Sequence, residues 1–272
     1  MLKYIWKEHK KTIIIVCIFA VCSIAIALGI YAQVTNAKIT ESQADKQEKN
    51  YTELKNNFKF LFTNSIVRAS SAKTDLTDDE LIYLAYDIVE KDSGKYDLNV
   101  KIPMFELETK TTKKINKEID ETFVKKLIDI VKNNKTNTIF GIDYAIFIND
   151  NIVSFAIRAT LKEGAAAQRT IIQTYNYDIE NDKLLNIDDI LNYKGLDKNN
   201  VQNTISNEIK SISDQKSNIE NQGYNVYKRN PSDEMYLLEN TEVFFLDNNS
   251  NLYIVYPYGN TNNTSEMDLV IF

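Results

Sequence analysis

The chain has 272 residues, 38 of them acidic against 32 basic, and a formal charge of −6. Its two cysteines, Cys17 and Cys22, and its one histidine, His9, all lie within the first 22 residues. Residues 23–272 therefore hold no disulfide, no thiol nucleophile, no cysteine or histidine zinc site and no histidine general base, which excludes zinc peptidases, zinc-dependent polysaccharide deacetylases and most serine hydrolases. Carboxylate-only and Ser-Lys enzymes stay open.

Ile13 to Ala32 carry no charge and follow Lys3, Lys7, Lys10 and Lys11, set against Glu8 alone. About 20 apolar residues span a ~30 Å hydrocarbon core. The lysines predict a cytoplasmic tail over 1–12, a membrane helix over 13–32 and everything beyond outside the cell. The alternative is a cleaved signal peptide, with small residues at Ala25 and Ala27 or at Thr35 and Ala37. Its apolar core would be longer than the roughly 7–15 residues usual for one. Cys22 follows Phe19-Ala20-Val21, which is no lipobox. Without residues 1–32 the chain has 28 basic and 37 acidic residues, a charge of −9. Such a surface favours basic partners over nucleic acid; simple solubility is the plainer reading.

Residues 33–50 are polar and read as a stalk. Tyr51, Leu54, Phe58, Leu61, Phe62, Ser65 and Ile66 follow helical spacing and predict a short amphipathic helix, so 33–75 form one linker region. Leu81–Val89, the turn Lys91-Asp92-Ser93-Gly94 and alternating Tyr96–Ile102 predict a hairpin. Ile115, Ile119, Phe123, Leu127, Ile130 and Val131 predict an amphipathic helix ending at Asn133-Asn134. Strands are expected at Ile139–Ile148, Ile152–Leu161 and Arg169–Ile179. Asp188 and Asp189 are expected to cap a short helix at Ile190-Leu191. Val201, Ile205, Ile209, Ile212 and Ile219 mark a second long helix, and strands follow at Val243–Leu246, Leu252–Tyr256 and Leu269–Phe272. The fold class expected is α+β, with antiparallel sheets packed against two long helices. Its parts are a domain over 76–183 and another over 184–272.

From Tyr175 to Leu191 the chain runs through an aromatic strand, a turn, Leu184-Leu185 and the acidic pair Asp188-Asp189. This resembles the extracellular domain of the anti-sigma-V factor RsiV family. Tyr96–Phe105, with Ile102-Pro103, and the helix beginning Lys114-Ile115-Asn116-Lys117-Glu118-Ile119 are similar to its companion domain of unknown function. That domain is also found in the peptidoglycan deacetylase PdaC. Val243-Phe244-Phe245-Leu246-Asp247 and Tyr256-Pro257-Tyr258 resemble the closing strands. The resemblance covers about residues 80–272 and brings no catalytic signature. It implies a membrane-anchored sensor or decoy that binds lysozyme or a similar basic protein, and an anchor region open to signal peptidase. Met1 to Thr12 are too few for the sigma-binding domain of that family, and the deacetylase histidines are missing.

Residues 256–266 are the expected binding loop, with Tyr256, Tyr258, Asn260, Glu266 and Asp268 as ligand contacts. Tyrosines give contact area at low entropic cost, and acidic groups suit a basic surface. The plainer reading is a solvated connection between strands. Asp247-Asn248-Asn249-Ser250-Asn251 spaces oxygens like a calcium loop but lacks its glycine and distant glutamate, so a hairpin turn is expected there. Arg158, Lys162, Glu163 and Arg169 flank a Gly-Ala-Ala-Ala turn and are given no chemistry. Glu266 and Asp268, two apart on a strand, share a face like a glycosidase pair. No other motif supports catalysis, and neither a cofactor nor a metal is expected. Peptidoglycan binding through exposed tyrosines is the alternative function. The Asn-, Lys- and Ile-rich composition suits a low-GC Gram-positive bacterium.

Overall fold

A computed structural model of the protein describes residues 46, 48–133 and 137–272. The apolar stretch 13–32 lies outside them. Among the described residues no helix is long and apolar enough to cross a membrane. The chain divides into two compact units, residues 1–56 and Asn57–Phe272. In the first, residues 48–56 are helical (α1), and the Lys55 ammonium stands 4.7 Å from the centroid of the Tyr51 ring.

The second unit opens with a 3-10 turn at Phe58–Phe60 and a strand, β1 (Ser65–Arg68). The amphipathic helix expected to reach Ile66 therefore stops short. Asn64 adopts φ 57° and ties the turn to the sheet: its N–H reaches the Tyr144 carbonyl at 2.9 Å, and its Oδ1 accepts from the Tyr144 N–H at 3.0 Å. Pairing with an open strand edge overrides the helical spacing of Ser65 and Ile66. A short helix, α2 (Asp78–Leu81), follows, closed by a Thr77–Glu80 capping box.

The expected hairpin is present as β2 (Ile82–Asp92) and β3 (Tyr96–Phe105), turning at Gly94 with φ 82°. The long helix comes in three pieces: α3 (Lys110–Ile119), a π turn (Asp120–Val124) and α4 (Lys125–Asn133). Its apolar residues explain the break. Ile115, Ile119, Phe123 and Leu127 step by four, and each step drifts ~40° around a 3.6-residue helix. The π turn absorbs one extra residue, so Ile119, Phe123, Val124, Leu127 and Ile130 all stay buried.

β4 (Thr138–Asn149), β5 (Ile152–Glu163), β6 (Arg169–Asp178) and the two-residue β7 (Lys183–Leu184) then meander. The sheet order is β2-β3-β4-β5-β6-β7, with β1 also on β4. It is mixed, not antiparallel throughout: β3 and β1 both run parallel to β4, at residues 138–142 and 145–148 of that strand. The helix between β3 and β4 returns the chain to the end where β3 began, which makes the pair parallel.

α5 (Ile187–Lys194) is capped by Asn186, with Asp189 closing the capping box. Asp188 and Asp189 were expected to be the cap; they lie inside the first turn instead, where their charge favours the helix N-terminus. α6 (Lys198–Glu220) starts at Asp197. β8 (Phe244–Leu246), β9 (Leu252–Pro257) and β10 (Met267–Ile271) form an antiparallel second sheet, ordered β10-β9-β8.

One core cluster lies between α3–α4 and the first sheet; the second joins α5 and α6 to the second sheet. The opposite face of β4–β6 meets the second sheet through buried polar groups. Asn176 donates to the Phe244 carbonyl at 2.8 Å, and the Leu246 N–H donates to Ser154 Oγ at 3.2 Å. Phe58, Phe147, Phe245 and Tyr253 stack beside them, with Phe245 and Tyr253 centroids 5.0 Å apart.

Candidate functional site

The loop between β9 and β10 begins with a 3-10 turn at Tyr258–Asn260. The structure brings all five expected contact residues together here, mostly facing inward. Tyr256 and Tyr258 are 4% and 1% exposed, so their rings are closed to a partner. The aromatic side chains fill the second core because β9 is the central strand of its sheet and both its faces are covered. The Tyr258 hydroxyl donates to Asp268 Oδ2 at 2.6 Å and lies 2.9 Å from the Tyr236 hydroxyl. Burial, then Asp268, pushes the Tyr258 phenol far above its usual range.

Asp268 and Glu266 do share a face, but they hold a guanidinium. Arg229 Nε donates to Asp268 Oδ2 at 2.6 Å, and Nη2 reaches Asp268 Oδ1 at 2.9 Å and Glu266 Oε2 at 3.0 Å. The Arg229 and Asp268 side chains are 1% and 5% exposed. Burial alone would raise Glu266; the Tyr227 N–H, Arg229 and Lys216 outweigh it and hold the carboxyl below 4.5. Both carboxylates are thus engaged in fixing the segment around Tyr227 against β10. The Tyr227 ring stacks on Tyr258 at 3.8 Å.

Asn260 does something different. Its Oδ1 accepts from the Ile172 N–H at 3.0 Å and its Nδ2 donates to the Ile172 carbonyl at 2.9 Å. One carboxamide thereby makes both ladder bonds that a neighbouring strand would make to β6. Gly259 permits this approach: a Cβ there would stand 1.9 Å from the Thr170 carbonyl oxygen. Asn260 to Asn263 and Ser265 are the exposed residues of the loop.

Beside Asn260 opens a groove of about 560 Å³, lined from α3, the π turn and α4 by Glu118, Thr122 and Lys126, from β5 and β6 by Glu163, Arg169 and residues 171–175, and by Leu184, Glu242 and Val243. Two polar atoms in its wall, Arg169 Nε and Gln173 Oε1, are shielded from solvent and have no hydrogen-bond partner among the described residues. Lys126 is bound to Glu163 at 2.7 Å. Thr174 lies two residues beyond Ile172, so strand alternation turns its N–H and C=O outward in the same direction. β7 and Leu185 cover the β6 edge from Asn176 onward, where the Leu185 N–H donates to the Asn176 carbonyl at 2.7 Å.

No protein-family model and no curated protein matches the chain. Among solved structures it is similar to a DUF3298 family member from Bacteroides fragilis, at TM-score 0.37 and 15% identity over 65% of this chain and 81% of that one. It is also similar to a DUF3298 family protein from Pseudomonas aeruginosa, at TM-score 0.37 and 10% identity over 70% of this chain and 85% of that one.

Asp247 caps its own hairpin turn, accepting from the N–H groups of Asn249 and Asn251 and from the Asn251 amide. Among the described residues no cluster of acidic, cysteine or histidine side chains has the arrangement of a metal site. Sequence reasoning passed over the groove. Arg169 was noticed only as a hairpin charge, and Gln173 and Thr174 read as ordinary strand residues. Nothing in their spacing signals it: the two-residue β7, Leu185, Asn260 and Thr264 together leave only the Thr174 rung of the β6 edge open, and that depends on tertiary contacts.

Proposed function

We propose that the chain is a membrane-anchored extracellular binding module, a sensor or decoy and not an enzyme, whose ligand is a basic protein such as lysozyme. The observation that carries this reading is the open polar groove on β6, where the carboxylates of Glu118, Glu163 and Glu242 stand near two buried, unpartnered polar atoms. Unsatisfied buried groups cost stability, so a groove that holds two of them suits a ligand that pairs with them. Three carboxylates against Lys126 and Arg169 favour a cationic ligand. The charge of −9 beyond residue 32 acts in the same direction at long range. The apolar run 13–32 after four lysines supports the anchor and its orientation, and the RsiV resemblance supports lysozyme as the first ligand to try.

Calorimetry of the full chain in detergent, with lysozyme and with cytochrome c as a basic control, tests the reading. Saturable binding of lysozyme alone, weaker at physiological than at low salt, is expected. Equal binding of both proteins, or of neither, overturns it. Pelleting with purified cell wall in moderate salt would then make peptidoglycan the ligand.

A further inference from the structure

We infer that the β6 groove is a strand-addition site, which receives one extended stretch of polypeptide with basic side chains. The inference rests on the basic-protein reading above and assigns it a place. The first ground is geometric. The outward N–H and C=O of Thr174 form a single rung with the spacing of a peptide group. No backbone partner from the flanking segments meets them. The second ground is a precedent within the molecule, since the equivalent rung at Ile172 is already filled by an amide, that of Asn260. An incoming peptide group would repeat at Thr174 what Asn260 does one rung away.

The third ground is the pair of unpartnered atoms. Arg169 Nε is a donor and Gln173 Oε1 an acceptor, and both line the same groove. They stand four residues apart on one face of β6, ~13 Å along the strand. Asn260 fills the Ile172 rung between them and the Thr264 carbonyl takes the Thr170 N–H, so the main chain of a bound segment registers at Thr174 beside Gln173 and its side chains extend along the groove towards Arg169. Glu118 and Glu242 lie on the walls and suit lysine or arginine at alternate positions. Strand addition of this kind draws affinity from main-chain bonds and selectivity from alternate side chains.

The probe is an acetylated, amidated octapeptide of alternating lysine and valine, applied to the full chain in detergent. Two further versions carry N-methyl groups on one or the other set of alternate residues. The unmodified peptide is expected to bind saturably and to displace lysozyme, and one N-methylated version is expected to bind at least tenfold more weakly. Thr174→Pro removes the outward N–H without touching a β5–β6 bond and should also cost at least tenfold. Thr174→Val, which loses only the hydroxyl that accepts from the Phe244 N–H, should stay within threefold. Arg169→Met should bind the peptide more weakly while melting no lower than the parent, because an unpartnered buried Nε has been replaced by an apolar group, whereas Gln173→Leu should bind more weakly and lose some stability, because the Gln173 Nε2 donates to the Tyr175 hydroxyl. Peptide binding unaffected by N-methylation and by Thr174→Pro overturns the strand-addition site. Lysozyme binding that the peptide cannot displace overturns the site and leaves the basic-protein reading standing. Failure of both lysozyme and peptide to bind removes both.

Discussion

Arg229 is the residue on which the β9–β10 region turns. Its guanidinium is out of water, and burial alone would weaken its charge; the carboxylates of Asp268 and Glu266 compensate and keep it ionised. A buried pair of this kind adds little net stability, but removing one member strands the other. Arg229→Met is expected to destabilise the protein by about 3–5 kcal/mol in urea unfolding. Replacing Arg229 and Asp268 together by apolar residues should cost less than the two single changes summed. Glu266 makes a pH prediction. Its folded carboxyl titrates below 4.5, so its stabilisation is complete above that value and is lost as pH falls through the depressed one. Glu266→Gln should therefore shrink the fall in urea midpoint between neutral pH and about pH 3. The spacing of Glu266 and Asp268 was legible in the sequence, and so was their common face. Arg229 was not, because it sits in an irregular segment with no period, and only tertiary structure brings it 2.6 Å from Asp268.

At the scale of elements, regular period was readable and its interruptions were not. β4, β5 and β6 appear within a residue or two of where alternation puts them, and the β2–β3 hairpin follows from its glycine turn. β1 was missed because helical spacing of Phe58, Phe62 and Ile66 is local, while the bonds that make Ser65–Arg68 a strand come from β4, about 80 residues away in sequence. The π turn was missed because steps of four still look helical. Its consequence can be checked by deletion. Without Thr122, an exposed residue, Ile115, Ile119, Phe123, Val124, Leu127 and Ile130 would fall at i, i+4, i+7, i+8, i+11 and i+14, the face of a regular helix. Deleting Thr122 is expected to give an uninterrupted helix with stability within about 1 kcal/mol of the parent, where loss of one core side chain costs about 2–5 kcal/mol. A loss in that larger range would show that the π turn is required for packing.

For the whole molecule, composition speaks to class and charge: histidine and cysteine are absent beyond residue 22, and the charge of −9 beyond residue 32 favours a basic partner in the proposed reading. Because that charge is spread over a large surface, added salt should slow lysozyme association more than it speeds dissociation, a difference that stopped-flow mixing resolves. The location of the binding surface was harder to read. Tyrosines were expected to mark it, yet those of the closing strands are interior, and the groove depends on which stretch of sheet edge is left uncovered. Two margins of the first sheet, β6 and β2, differ in the length of edge they leave open. On β6, Asn260 stops pairing at Ile172 and Leu185 stops it at Asn176, so an added strand can register only at Thr174. β2 is an edge strand of eleven residues with Val89 78% exposed, and its defence is charge, at Asp87, Glu90, Lys91 and Asp92. A side-chain amide thus acts as a terminator on one margin of the sheet: a strand that joins β6 is confined to a single rung, whereas β2 relies on charge along its length to hold off other chains.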